Sequence, residues 1–214
     1  MMLKFELKDC MLGMAEYPDK YFGLAIVDPP YGFGEKICNL RNRSAKWNSS
    51  PPEETYFVEL KRVSKNQIIW GANYFNCFNG KMGAIIWNKN QPMPDFSKAE
   101  IASNSLHKKI EIYNQTWTNY VNEKETSNET EKPVALYRWL LQNYAKPGDI
   151  ILDTHVGSAS SLIACEMEGF EYVGFELDED YYKAATERIK RFRMQPDIFR
   201  PQPERTETIQ MVME

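Results

Sequence analysis

The sequence predicts an α/β protein built on a doubly wound, mostly parallel sheet. Three observations carry this. Short strand-type runs alternate with helical patterns along most of the chain, an order that joins parallel strands through helical crossovers. The runs LAIV, IIW, AIIW and IIL are continuously apolar, which suits strands covered on both faces. The 214 residues are 43% hydrophobic, enough for one core without staples, since a chain of this size buries roughly 70% of its unfolded surface.

Seven strands are expected: Lys4–Lys8, Phe22–Val27, Gln67–Gly71, Gly83–Trp87, Lys109–Tyr113, Asp149–Asp153 and Tyr172–Glu176. The fifth, KIEIY, alternates apolar and polar residues and suits an edge or antiparallel strand. Between them, Ser50-Pro51-Pro52-Glu53 reads as a helix N-cap with proline at the first helical position and Glu53 three residues on. Tyr56, Phe57, Leu60 and Val63 then line one face. Val134–Tyr144 and Ser158–Gly169 are further helices, the second ended by Gly169. Asp178 caps a last helix whose Tyr182, Ala185, Ile189 and Phe192 recur at helical spacing. Gly32–Ser49 and Thr118–Lys132 are polar and irregular, and the tail from Gln195 carries Pro196, Pro201 and Pro203 and is expected to run extended.

Charged residues make up 26% of the chain, which excludes disordered and collagen-like classes. There is no apolar run of membrane-spanning length, and MMLKFELKDC has no signal-peptide core, so a cytoplasmic protein with no membrane partner is expected. Cys10, Cys38, Cys77 and Cys165 are scattered, and His107 and His155 are the only histidines. That argues against zinc or a disulfide framework and for free, mostly buried thiols. A net charge of −4 argues against a broad non-specific grip on nucleic acid, while leaving room for a local basic patch.

Asp28-Pro29-Pro30-Tyr31 directly follows the strand FGLAIV. Ligands of open α/β sheets bind at the carboxyl ends of strands, so this tetrad belongs to the active edge. Its prolines fix the backbone and present the Asp28 carboxylate, the Pro29 carbonyl and the Tyr31 ring together. Two acceptors beside an aromatic plate suit a flat ring bearing an exocyclic amine, whose lone pair they would localise on nitrogen. A plain D-P-P turn is the simpler alternative. Asp149–Ser161 is a strand, a glycine turn and a helix start, resembling a nucleotide-binding turn. Glu176 stands nineteen residues after Gly157, the distance at which a carboxylate holds the ribose of an adenosine cofactor. An ordinary βαβ unit with an acidic strand end is the alternative. Asp9, after the first strand, is a helix cap or a contact to the cofactor adenine. His155 reads as a packing histidine. Arg41, Arg43 and Lys46 form a basic loop with Trp47, suited to phosphate contact. Further basic groups are Lys61, Arg62 and Lys65, and His107, Lys108 and Lys109. The basic residues of the last helix, Arg188 among them, read as a solvated face.

With these pieces the chain, from about Leu3 to Phe192, resembles the circularly permuted, beta-class amino DNA methyltransferases. Asp28-Pro29-Pro30-Tyr31 matches their catalytic tetrad, and Ile68–Phe75 (IIWGANYF) is similar to their next strand and turn. Asp153-Thr154-His155-Val156-Gly157-Ser158 lies where they read D-P-F-x-G-S, and Val173-Gly174-Phe175-Glu176 where they place the ribose-binding acid. Glu131-Lys132-Pro133 is similar to the Lys-Pro preceding their cofactor-domain helix. Thr154, His155 and Ala159 depart from the usual Pro, Phe and Gly, and Asn128-Glu129-Thr130 stands where His-Pro-Thr is common.

The resemblance implies the Rossmann-like methyltransferase fold, with seven strands, one of them antiparallel. It implies one domain over 1–194, with a catalytic half 1–117, a linker 118–132 and a cofactor half 133–194, followed by the tail 195–214. S-adenosyl-L-methionine would bind through Asp9, Cys10, Asp28, Lys132, Asp153, Thr154, His155, Gly157, Ser158, Glu176 and Leu177. DNA would be the substrate, reached through the loop 32–49, with adenine N6 favoured by DPPY over cytosine N4. The segments Asn88–His107 and Asn114–Glu131 leave little room for target recognition, so a homodimer or a separate specificity subunit is implied. Three other readings stay open on sequence alone: a nicotinamide enzyme using the same turn, a partner-dependent DNA-binding subunit, and an RNA or small-molecule N-methyltransferase.

Overall fold

The computed structural model describes residues 2–32, 50–78, 82–90, 97–115 and 131–195. The linker 118–130, the basic loop 33–49 with Cys38, and the tail beyond Gln195 therefore lie outside the described residues. Those described form one sheet of eight strands: β1 (Leu3–Leu7), β2 (Phe22–Val27), β3 (Ser64–Trp70), β4 (Gly83–Asn88), β5 (Ala99–Asn104), β6 (Ile110–Asn114), β7 (Ile150–Asp153) and β8 (Glu171–Glu176). Their order is β1-β8-β7-β2-β3-β5-β4-β6. Every neighbour pair is parallel except the two made by β5, which runs against both β3 and β4.

The expected seven strands are thus eight. The unforeseen β5 lies inside the segment set aside for target recognition. Its sequence, AEIASN, has little β-branched or aromatic content, and Ala102, Ser103 and Asn104 are buried by their neighbours rather than by their own hydrophobicity. KIEIY is the edge strand β6 and runs parallel to β4, so the single antiparallel strand is β5, on the far side of β4.

Among the described residues, five helices cover the sheet: α1 (Cys10–Met14), α2 (Glu54–Val63), α3 (Val134–Tyr144), α4 (Ser160–Glu168) and α5 (Glu179–Met194). The side-chain period of two sends Leu24 and Ile26 to one face and Ala25 and Val27 to the other. The first pair packs with Leu136, Leu140 and Leu141 of α3 and Leu162 and Ile163 of α4. The second packs with Met14 of α1 and Tyr56, Leu60 and Val63 of α2.

Three helix boundaries or faces differ from expectation. α2 begins at Glu54 with Glu53 as its extended N-cap, and no side chain caps it. Pro52 bars the preceding Pro51 from the helical region, so Ser50 cannot serve as the cap. α4 starts two residues late, because Gly157, Ser158 and Ala159 make a turn in which Ala159 is left-handed at φ 68°. Arg188 of α5 is not on a solvated face. It is buried between Glu131 and Ser160, and its register beside Ala185 and Ile189 puts it on the inner stripe. Gly169 ends α4, and Asp178 caps α5 by accepting from the Asp180 and Tyr181 amides, both as expected.

Candidate active site

Four adjacent parallel strands, β1, β8, β7 and β2, end at the same edge of the sheet. Their carboxyl ends deliver Lys8 and Asp9, Glu176, Asp153 and Asp28. A cavity of about 210 Å³ opens there. Of the fourteen residues singled out from the sequence, eleven line it: Asp9, Cys10, Asp28, Pro30, Lys132, Thr154, His155, Gly157, Ser158, Glu176 and Leu177. Pro29, Tyr31 and Asp153 adjoin lining residues in sequence but do not themselves line it. Lys8, Glu131, Tyr137, Val156, Ser160 and Tyr181 complete the lining and were not singled out. Tyr137 and Tyr181 each lie within the first turns of a helix that follows a singled-out segment, which was the available signal.

At one side of the cavity Glu176 is held by three backbone amides. Gly157 N donates to Oε2 at 2.8 Å, and Leu177 N and Asp178 N donate to Oε1 at 3.0 and 2.9 Å. The nineteen-residue spacing seen in the sequence is therefore a direct contact between the glycine turn and the strand end. Burial raises the Glu176 carboxyl, and these amides oppose it. The turn itself is braced from beneath. Asp153 accepts from the His155 amide at 3.0 Å and from the Ser161 hydroxyl, and burial pushes its carboxyl up to about 7. Arg188 Nη1 donates to the Ser158 carbonyl and the Ser160 hydroxyl, both at 2.9 Å, and pairs with Glu131 Oε1 at 2.6 Å.

Thr154 and His155 belong to a polar chain that also takes in Tyr56. The Tyr56 hydroxyl and Thr154 Oγ1 share a hydrogen bond of 2.6 Å, and Thr154 Oγ1 lies 2.9 Å from His155 Nδ1. The Tyr56 ring meets the imidazole edge-on at 5.5 Å. Burial lowers the imidazole to about 4, so His155 is a neutral packing residue. Asp9 caps α1 through the Met11 and Leu12 amides and also lines the cavity. Burial first, then the neighbouring Asp9 charge, pushes the Cys10 thiol up to about 12, which makes it unreactive.

The opposite side is built around Asp28. The Tyr31 hydroxyl donates to Asp28 Oδ1 at 2.7 Å, and Lys132 Nζ bonds Oδ2. The same ammonium lies 3.1 Å from Glu100 Oε2 and 3.3 Å from the Tyr31 hydroxyl. The Tyr31 ring is seated by Gly71, which is left-handed at φ 69° and on which a Cβ would fall 2.2 Å from Tyr31 Cε1. One ring face is stacked by Tyr74 at 5.0 Å and 28°, and Phe75 meets it at 6.0 Å and 67°. IIWGANYF thus serves as the bed of the tetrad's aromatic ring.

The edge thus carries the Asp28 carboxylate after one strand and an amide-fixed acid at the end of the next-but-one. Residues 97–187 match the DNA methylase family model. That span takes in β5, Lys132, the glycine turn and Glu176, and the tetrad precedes it. The chain is 26% identical over 210 residues to YubD of Escherichia coli (strain K12), a protein named as a methylase, covering 88% of this chain and 90% of that one. Among solved structures it is similar to the M1.HpyAVI–SAM complex, at a TM-score of 0.60 and 17% identity, covering 87% of this chain and 100% of the other. It is also similar to the PvuII DNA methyltransferase, titled cytosine-N4-specific, at a TM-score of 0.61 and 12% identity, covering 92% and 88%. The fold is the α/β fold of these DNA methylases, with a mostly parallel sheet.

Proposed function

We propose that the protein is a DNA methyltransferase that moves a methyl group from S-adenosylmethionine to the exocyclic amine of an extruded base, adenine N6. The observation that carries this reading is one cavity lined by both the amide-fixed Glu176 and Asp28, the acceptor of the Tyr31 hydroxyl. The donor set fits the cofactor. A carboxylate held by three amides suits a ribose diol, Asp9 and Cys10 lie beside it at the wall for the adenine, and Gly157 and Ser158 offer the turn for the amino-acid end. The lining carries Asp9, Asp28, Glu131 and Glu176 against Lys8 and Lys132, an acidic balance that favours a cationic ligand. When bound, the cofactor would supply an electrophilic methyl group.

The chain's own part is to present the amine. Asp28 and the Pro29 carbonyl accept its two N–H bonds, which draws the lone pair out of the ring and aims it at the cavity. The Tyr31 hydroxyl keeps the Asp28 carboxylate from turning away. Extruding the base costs a few kcal/mol, and stacking on an aromatic side chain returns about 1–3 kcal/mol. Tyr74 already covers one face of Tyr31, so the base would use the other face or Tyr74 itself. Since β5 occupies the segment once set aside for recognition, the described residues offer no rigid platform for reading several base pairs. The reading therefore includes a short or relaxed target site, with a dimer mate or a separate subunit adding further specificity.

The test is incubation of the purified protein with DNA and S-adenosylmethionine, followed by nucleoside mass spectrometry. N6-methyladenine is the expected product. N4-methylcytosine would correct the target, and an absence of any methylated nucleoside would refute the reading. Asp28→Ala should lower turnover by roughly 10²–10³, as for loss of one preorganised polar group, while keeping cofactor affinity.

A further inference from the structure

Lys132 is one of the most enclosed ionic groups in the structure. Its side chain is 3% exposed. It sits over the Tyr31 and Trp70 rings, 5.8 and 5.4 Å from their centroids, and it pairs with Asp28 on one side and Glu100 on the other. Glu100 pairs in turn with Lys89. Four charges of alternating sign thus run from the tetrad, through the segment before α3, to β5 and the loop after β4. Burial would drive the Lys132 ammonium down, and the Asp28 and Glu100 carboxylates outweigh it and hold it above the ordinary lysine value. Glu100, which burial would raise, is held at about 2 by Lys132 and Lys89.

We infer that Lys132 and Glu100 are positioning residues for methyl transfer, acting through Asp28; the inference rests on the function proposed above. Lys132 and the Tyr31 hydroxyl each take one carboxylate oxygen of Asp28, so the carboxylate is pinned in rotation with its remaining lone pairs available to an amine. A lysine alone would neutralise Asp28 and oppose the positive charge that builds on the amine as the methyl arrives. Glu100 lessens this, because it shares the Lys132 ammonium with Asp28, and Lys89 in turn balances Glu100 from the other end of the row. The arrangement also separates Lys132 from the role its place beside Pro133 suggested. Its ammonium is committed to two carboxylates of the chain rather than to a cofactor carboxylate.

Three variants, Lys132→Met, Lys132→Arg and Glu100→Gln, are compared with the wild type in two ways. Steady-state methylation separates kcat from the KM for S-adenosylmethionine. Proton–nitrogen spectra of the lysine ammonium groups report the seat of Lys132 without any turnover. Lys132→Met should lower kcat about a hundredfold and Glu100→Gln about tenfold, with the cofactor KM within twofold of wild type in both. Lys132→Arg should recover most of the kcat lost in Lys132→Met. A slowly exchanging ammonium signal should vanish in Lys132→Met and shift in both Glu100→Gln and Asp28→Asn. Should Lys132→Met fail to fold, Glu100→Gln and Lys132→Arg carry the comparison. A tenfold rise in cofactor KM at unchanged kcat for Lys132→Met would assign Lys132 to the cofactor and overturn the inference, as would wild-type kcat in Glu100→Gln. A wild-type protein that methylates no DNA while its ammonium signal still responds to Asp28→Asn would fail the proposed function and keep the ion-pair geometry.

Discussion

Replacing Gly71 by alanine should uncouple Tyr31 from Asp28 without touching either residue. Two costs separate cleanly here. The first is backbone strain, because an L-residue at φ 69° costs roughly 1–2 kcal/mol. The second is steric. The new methyl carbon would lie 2.2, 2.7 and 2.8 Å from three atoms of the Tyr31 ring, so the ring must retreat by about an ångström, on the order of the shortfall from van der Waals contact. That retreat weakens the Tyr31 hydroxyl bond to Asp28, a charge-assisted bond worth about 1.5–3 kcal/mol, and disturbs the Tyr74 stack, worth about 0.5–1.5 kcal/mol. Gly148 supplies the control. It too is left-handed, at φ 85°, but a Cβ there meets nothing within 4 Å. Urea denaturation should therefore show Gly148→Ala losing about 1–2 kcal/mol and Gly71→Ala losing about 2 kcal/mol more. Methyl transfer should fall only in Gly71→Ala. Equal stability losses in the two variants would refute the idea that Gly71 is the seat of the ring.

Removing the amide-fixed acid by Glu176→Ala should weaken S-adenosylmethionine binding by about 1–3 kcal/mol, read by calorimetry, and an unchanged dissociation constant in a folded variant would sink the assignment. Arg188→Leu removes the ion-pair partner of the buried Glu131 and the donor to the Ser158 carbonyl, so it should destabilise by about 3–5 kcal/mol; a loss under 1 kcal/mol in chemical denaturation would count against a structural role for the pair. His155 is held neutral down to about 4, below its unfolded value of about 6.5. The unfolded chain thus binds the extra proton first, and stability is present above 6.5 and lost as pH falls toward 4. Asp153, raised to about 7, works with opposite sign, favouring the fold at low pH and losing that contribution as pH rises to 7. His155→Phe should therefore gain about 2 kcal/mol on the wild type between pH 6.5 and 4, and parallel pH–stability curves for the two proteins would contradict it.

What could be read from the sequence was whatever depended on neighbours along the chain. Asp28-Pro29-Pro30-Tyr31, the glycine turn and Glu176 are each local patterns at strand ends, and the sheet brings them to one cavity. α3 was legible to the residue because its apolar stripe is strong. Features that depend on distant partners were not legible. β5 is a strand because β3 and β4 flank it, and nothing in AEIASN says so. α1 spans only five residues, too few to show a period. Lys132 carried a local reading beside Pro133, but its partners Asp28 and Glu100 are 104 and 32 residues away, so only the fold reveals its charge environment. Arg188 is an intermediate case. Its spacing from Ala185 and Ile189 marked the buried face, but its place in a basic run suggested water.

The pairing of β1 with β8 has a consequence for how the chain comes to be folded. Leu3 lies opposite Tyr172 and Leu7 opposite Glu176, so one rim of the cavity is closed by residues about as far apart in sequence as the described chain allows. A loop of that length is entropically slow to close, and high contact order predicts slow folding. During synthesis β1 leaves the ribosome well before its partner exists and must wait, solvated, while β2 to β7 are made. Asp9 and Cys10 therefore meet Glu176 only when the last strand docks. Pulse-labelled nascent chains truncated before β8 should consequently retain no adenosine-binding capacity, and the cofactor would act as a late ligand that captures the seated β1 and shifts the final docking step toward the native state.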